Sequence, residues 1–165
     1  MGTRSSIGFI KNDVRRSTYS QFDGYPDSAG QEVVDIINHI KEQPDGLKRL
    51  EERLVGLERV SNETQRPTPE QVKRYWKFGN MSVSERSEHD WYCLLRNLQN
   101  GLWIHAAFNG DLDHLFEDDK TNEDYNYFLD FDTMMFQVYN WDDLIGYFPL
   151  DNIPSDWKSK LKGKH

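Results

Sequence analysis

The chain has one cysteine, Cys93, among 165 residues, so it can form no internal disulfide, and a reducing compartment suits it. No apolar run approaches the roughly 18 residues of a membrane-spanning helix, and Met1–Ser6 precedes only four mildly apolar residues, too few for a secretory leader. Gly2 with Ser6 loosely follows a myristoylation pattern, but a strand over Ile7–Ile10 would tie this end of the chain into a sheet instead. Phosphate-binding loops, dinucleotide fingerprints and nucleophile elbows are all missing. The five histidines (His39, His89, His105, His114 and His165) never recur at helical ligand spacing. Neither cofactor nor metal is expected, and the sequence points to binding rather than catalysis.

Positive charge is also scarce, since Lys and Arg number 20 against 28 Asp and Glu, giving a net charge of −8. Eleven of the acids lie between Asp111 and Asp143, opposed by Lys120 alone, so this one stretch carries −10. Such a field repels nucleic acid backbones and attracts basic protein surfaces. A partner protein with a basic surface is therefore expected, and direct nucleic acid binding is not. The candidate contacts for that partner are Asp111, Asp113, Glu117, Asp118, Asp119, Glu123 and Asp124. Asn109, Asp111 and Asp113 alternate like the start of a calcium loop, but His114 stands where that loop needs Gly and Lys120 where it needs Glu.

What the chain does have is aromatic side chains, with five Trp, eight Tyr and nine Phe, and large rings close a core with few residues. Ile7–Ile10 and Arg16–Phe22 flank Lys11-Asn12-Asp13 as a hairpin, and Tyr125–Asp130 with Met134–Trp141 flank Asp132-Thr133 as a second. Between them lie helical stripes: Val33, Val34, Ile36, Ile37 and Ile40; Leu47, Leu50, Leu54 and Leu57; Val72, Tyr75 and Trp76; and Trp91, Leu94, Leu95 and Leu98. Ser28 with Gln31 and Thr68 with Gln71 read as capping boxes, the second reinforced by Pro69. Leu102–Ala107 is short, apolar and bounded by Gly101, which reads as a strand with His105 as a core residue inside it. Cys93 sits in the Trp91–Leu98 stripe and reads as a packed thiol. The order implies a single α+β domain over 1–165: a mostly antiparallel sheet from the N- and C-terminal hairpins, with helices packed on one face. Residues 61–69 read as a loop and 158–165 as a flexible basic tail.

The turn "FDGYPD" ends the first hairpin. Asp23-Gly24 suits a positive φ at Gly24, and Pro26 fixes the exit. Hairpin pairing puts Arg4 and Ser5 opposite Tyr19–Gln21, within reach of Asp23. Arg4, Tyr19, Gln21, Asp23 and Tyr25 thereby become the candidate ligand site, with an Arg4–Asp23 pair as its centre or as a simple turn lock.

"MGTRSSIGFI" followed by "YSQFDGYPDSAGQEVVDII" resembles a group of small uncharacterised proteins found chiefly in bacteriophages and prophages. "YNYFLDFDTMMFQVYNW" is similar to their C-terminal hairpin, whereas Asp45–Ser87 has no counterpart. Tyr19-Ser20-Gln21-Phe22 stands where relatives often carry Tyr-Cys-His-Trp, so any role of that Cys or His is absent here. The resemblance brings no catalytic residues. It implies a phage accessory protein in the host bacterial cytoplasm, an inhibitor of a host defence nuclease being one form. The alternative is a small-molecule or nucleotide-binding protein, or an unrecognised hydrolase, with its site at the Arg4–Asp23 hairpin end.

Overall fold

Asn12 and Asp13 both take left-handed backbone, φ 54° and 62°, which a two-residue type I′ turn demands. They join β1 (Ser5–Lys11) to β2 (Val14–Ser20) in antiparallel register, Ser5 opposite Ser20. The structure is a computed structural model and describes residues 2–63, 65–83, 87–117 and 123–163. Asp118, Asp119, Lys120, Lys164 and His165 lie outside them.

The second hairpin, β5 (Tyr125–Asp130) and β6 (Met135–Asn140), continues into β7 (Asp143–Pro149), giving the sheet order β2-β1-β5-β6-β7. Only the central β1–β5 pair is parallel, with Ser5 opposite Tyr125. Parallel pairing brings the tips of both hairpins to the same end of the sheet. There the Asp132 carboxylate accepts the N–H of Asn12 at 2.8 Å and of Asp13 at 2.7 Å. These two backbone donors, Asp13 first, hold the Asp132 carboxyl below its ordinary value.

Alternation along the central strands divides the sheet into two faces. Ile7, Phe9, Tyr127, Leu129, Phe136 and Val138 belong to the core beneath the helices. That layer is built from α1 (Gln31–Lys41), α2 (Gly46–Val55), α3 (Pro69–Tyr75), α4 (Trp91–Leu94) and α5 (Leu102–Phe108). A short parallel ribbon, β3 (Glu58–Val60) with β4 (His114–Phe116), accompanies them. The leucine stripe of α2 lands as expected, Leu50 and Leu54 having no exposed surface. Thr68 forms its capping box: Gln71 N donates to Thr68 Oγ1 at 3.2 Å, and Thr68 N donates to Gln71 Oε1 at 2.9 Å. The loop before it is pinned, since Trp91 Nε1 donates to the Gln65 carbonyl at 2.7 Å. Near the end of the chain Trp157 is fully buried, its ring edge-on to Phe136 and Phe148 at 5.8 and 6.3 Å. Burying so large a ring contributes on the order of 3 kcal/mol, so this single residue fastens the C-terminal turn to the sheet.

Several sequence expectations give way to packing. Leu102–Ala107 is a helix rather than a strand. A largely apolar run of this length suits either element, and Ala106-Ala107 has no β-branched bulk to favour the sheet. As a helix it buries Trp103, Ile104, Ala106, Ala107 and Phe108 against its neighbours and turns His105 to a half-exposed edge rather than into the core. Ser28 makes no side-chain cap, because Pro26–Gly30 winds as one wide turn and Gln31 is engaged elsewhere. Its Oε1 accepts from Trp157 Nε1 at 3.1 Å, and its Nε2 donates to Asp35 at 2.8 Å. Trp76 leaves the face of Tyr75 and stands 53% exposed, because the helix tightens into a 3₁₀ turn over Trp76–Phe78. The strand β7 has no counterpart in the sequence reading. A bulge at Val138/Tyr139 shifts its register, so its buried residues Ile145 and Phe148 break strict alternation. Cys93 is buried, as its stripe implied.

Candidate functional site

The "FDGYPD" turn inverts its expected geometry. Asp23, not Gly24, takes the left-handed backbone, φ 61°. Gly24 is needed for a different reason: a Cβ there would sit 2.8 Å from the backbone of Arg4. Gly24 N donates to the Thr3 carbonyl at 2.9 Å, and Tyr127 Oη donates to the Gly24 carbonyl at 2.7 Å. Asp23 is exposed and its carbonyl accepts from Ala29 N at 3.0 Å, so its place in the turn is set through the backbone.

Arg4 consequently turns to other acids. Its Nε lies 3.7 Å from Glu123 Oε2, and its backbone N–H donates to Asp124 Oδ2 at 3.1 Å. The pairing follows from topology, because β1 and β5 run parallel and both start at this sheet end. Glu123 is buried and Arg4 half-exposed. Tyr19 joins them through Arg4 and donates its phenol proton to Gln21 Oε1. Burial, then the Glu123 charge, push the Tyr19 phenol above its ordinary value, and Arg4 opposes that rise. Two groups of expected site residues therefore meet: Arg4, Tyr19 and Gln21 with Glu123 and Asp124. Tyr25 stands beside them, 52% exposed, with its ring 5.9 Å from Tyr125.

Beneath this cluster Asn126 is saturated. It accepts from Ser6 Oγ at 2.5 Å and donates to the carbonyls of Glu123 and Trp141 at 3.0 and 3.2 Å. It fixes the acidic approach to β5 and leaves no group over for a ligand. Beside it, on the face away from the main core, Arg15 lies over the rings of Phe128 and Tyr139 at 5.0 and 5.1 Å. With Asn126, Trp141 and Asp142 they line a polar cleft of about 80 Å³. The rim of the same face carries Tyr147, Trp141 and Leu144, which are 61%, 49% and 40% exposed.

Of the remaining expected acids, Asp113 and Glu117 serve the fold, while Asp118 and Asp119 lie outside the described residues. Asp113 pairs with Arg74, a bond that raises the Arg74 guanidinium above its ordinary value. Glu117 holds two arginines, Arg16 Nε at 2.7 Å and Arg59 Nε at 3.2 Å. Arg16 also donates to the Leu57 carbonyl at 2.9 Å, so this cluster ties β2 to the β3–β4 ribbon. Asp111 is exposed at the turn after α5. No group of three metal-binding side chains occurs among the described residues.

One further cavity escaped the sequence reading. A groove of about 640 Å³ runs between α1 and α5, lined by Asp27, Ser28, Gln31, Glu32, Asp35, Ile36, His39, Leu102 and His105. The His39 and His105 rings meet edge-on at its end, centroids 5.7 Å apart. Its signal was present in α1, where Gln31, Asp35 and His39 recur every four residues opposite the buried stripe. A strand over Leu102–Ala107 forms no such groove, which needs α5 beside α1.

Fold and site together define an α+β protein with a two-sided sheet, one side carrying the helical core and the other an aromatic and charged rim. Comparison of the chain with family models, curated proteins and solved structures finds no match.

Proposed function

We propose that the chain is an accessory binding protein of the phage type, acting by docking onto a host protein with a basic surface. Inhibition of a defence nuclease is the finer form of this reading. The observation that carries it is the sheet-end rim, where exposed Trp141, Leu144 and Tyr147 stand among the exposed carboxylates of Asp142 and Asp143. Large rings flanked by charge are the side chains that dominate protein interfaces. The acidic field read from residues 111–143 acts here in a narrower form. Asp113 and Glu117 are paired with arginines, and the exposed acids of the stretch include Asp111, Asp142 and Asp143.

The test is affinity capture from infected host cells, followed by titration of the isolated partner. Changing Asp142 and Asp143 to Asn should weaken binding about tenfold at low salt and remove most of its salt dependence. Undiminished, salt-insensitive binding by that variant overturns the reading.

A second reading, a small-molecule site, moves from the Arg4–Asp23 pair to the Arg15 cleft. At about 80 Å³ the cleft suits an inorganic anion or a small acid rather than a nucleotide. Thermal-shift screening decides it, because a ligand at 100 times its Kd adds about 2.7 kcal/mol.

A further inference from the structure

A two-residue hairpin loop needs left-handed backbone at its first position, where Asn or Gly is the unstrained choice. The β1–β2 turn follows that rule with Asn12. The β6–β7 turn breaks it. Asn140 pairs with Asp143, so the loop is Trp141-Asp142, and Trp141 takes φ 53°. Among the described residues, seven other than glycine have positive φ; five are Asn or Asp, and the exceptions are Met134 and Trp141. A large side chain crowds its own backbone in this region, and such strain persists only where the surrounding structure dictates it. Here it does. Trp141 N donates to the Asp124 carbonyl at 3.1 Å, and the Trp141 carbonyl accepts from Nδ2 of buried Asn126 at 3.2 Å. The indole is 49% exposed, so its burial within the chain offsets only part of the strain.

We propose that Trp141 is a preformed anchor that enters an apolar slot on the partner protein, a slot bordered by Lys or Arg. This rests on the reading of the chain as a binding protein and deepens it, naming the residue of the sheet-end rim that carries the contact and the surface that receives it. The ring supplies the apolar part. It is large and flat, and its backbone is held at both N–H and carbonyl, so little freedom is lost on docking. The exposed neighbours Asp142 and Asp143 set the border, since their carboxylates meet whatever surrounds the ring and cations are the favourable match. Met134 shares the left-handed backbone and is 41% exposed, but it lies at the other end of β6, which makes it the matched control.

The experiment titrates the full chain against the host protein isolated by capture, with urea unfolding in parallel. Trp141→Asn accepts the left-handed backbone and should raise Kd about thirtyfold, equally in low and high salt, with the urea midpoint within about 0.5 M of wild type. Met134→Asn should leave Kd within about twofold. Asp142→Asn/Asp143→Asn should lose affinity in low salt only. The proposal falls if Trp141→Asn binds as wild type does, or if Met134→Asn weakens binding as much. A loss with Trp141→Asn that vanishes in high salt overturns the apolar slot. A urea midpoint lowered by more than about 1 M in Trp141→Asn also sinks the proposal, because the ring then belongs to the fold. In each of these cases the binding-protein reading survives provided the Asp142/Asp143 variant loses affinity. If no host protein is captured, that reading fails and the proposal fails with it.

Discussion

Glu117 offers a test of whether the acidic stretch serves the fold or a partner. In a chain of net charge −8, removing any one carboxylate charge relieves long-range repulsion, so Glu117→Gln should stabilise the protein if Glu117 is merely part of a solvated surface. The geometry demands the opposite sign. Arg16 and Glu117 have side chains only 12% and 21% exposed, joined at 2.7 Å. A charge-assisted hydrogen bond of this kind is worth about 1.5–3 kcal/mol, and its loss leaves the Arg16 guanidinium half-satisfied by the Leu57 carbonyl. Arg59, with a side chain 59% exposed, adds only a few tenths of a kcal/mol. The expected loss is therefore about 2 kcal/mol. With an m-value near 2 kcal/mol/M for a domain of this size, the urea midpoint should fall by about 1 M. Urea is preferred to guanidinium, which would screen the pair. Asp111→Asn is the matched control, expected within about 0.5 kcal/mol of wild type. A Glu117→Gln midpoint equal to that of wild type or higher refutes the structural assignment and returns Glu117 to the candidate interface.

Other perturbations probe the same architecture. Trp157→Ala empties a site between Phe136 and Phe148 and should cost about 3–5 kcal/mol in urea unfolding; a loss under 1 kcal/mol would mean the C-terminal turn is not fastened as described. Gly24→Ala forces a methyl against the Arg4 backbone and should cost about 1–3 kcal/mol, with faster amide exchange at Gly24; unchanged exchange there counts against the close approach. Asp132 has a depressed folded value, so its contribution is complete above the ordinary carboxylate range and is lost as pH falls through the folded value. Asp132→Asn should accordingly flatten the acid limb of the stability profile, and an unchanged limb contradicts the turn lock. Burial raises the Tyr127 phenol well above its ordinary value, so its contribution is complete below about pH 10 and declines as pH rises further. Ultraviolet titration of the folded protein should show the same number of tyrosines ionising near pH 10 in wild type and in Tyr127→Phe; one more in wild type would place the ring in solvent.

Local rules read well where the signal was local. The Asn12-Asp13 turn, the Thr68 cap and the leucine stripe of α2 each depend on residues within one turn or one hairpin, and each forms. What escaped was set by partners far away in the chain. Arg4 is 119 residues from Glu123, and Arg16 is separated from Glu117 by 101. No spacing rule pairs them. The parallel join of β1 to β5 does, by bringing two strand starts together. The apolar run at Leu102 was ambiguous for the same reason: its state was decided by the helices it packs against. The candidate site was thus half legible. Arg4, Tyr19 and Gln21 share a sheet end as expected, but the acid that Arg4 meets comes from the other end of the chain.

That central parallel join also governs when the protein can exist at all. During synthesis β1 leaves the ribosome 120 residues ahead of the strand it pairs with, Ser5 waiting for Tyr125. At about 5–20 residues per second the wait is roughly 6–24 s. Through that interval the first hairpin has one unclaimed edge and no partner for Ile7 and Phe9 across the sheet. The cell therefore handles a chain whose Ile7 and Phe9 stay without that partner until β5 emerges. Any delay between the helices and β5 prolongs that wait, so synonymous codon changes in the span 109–124 should alter soluble yield without altering the protein made.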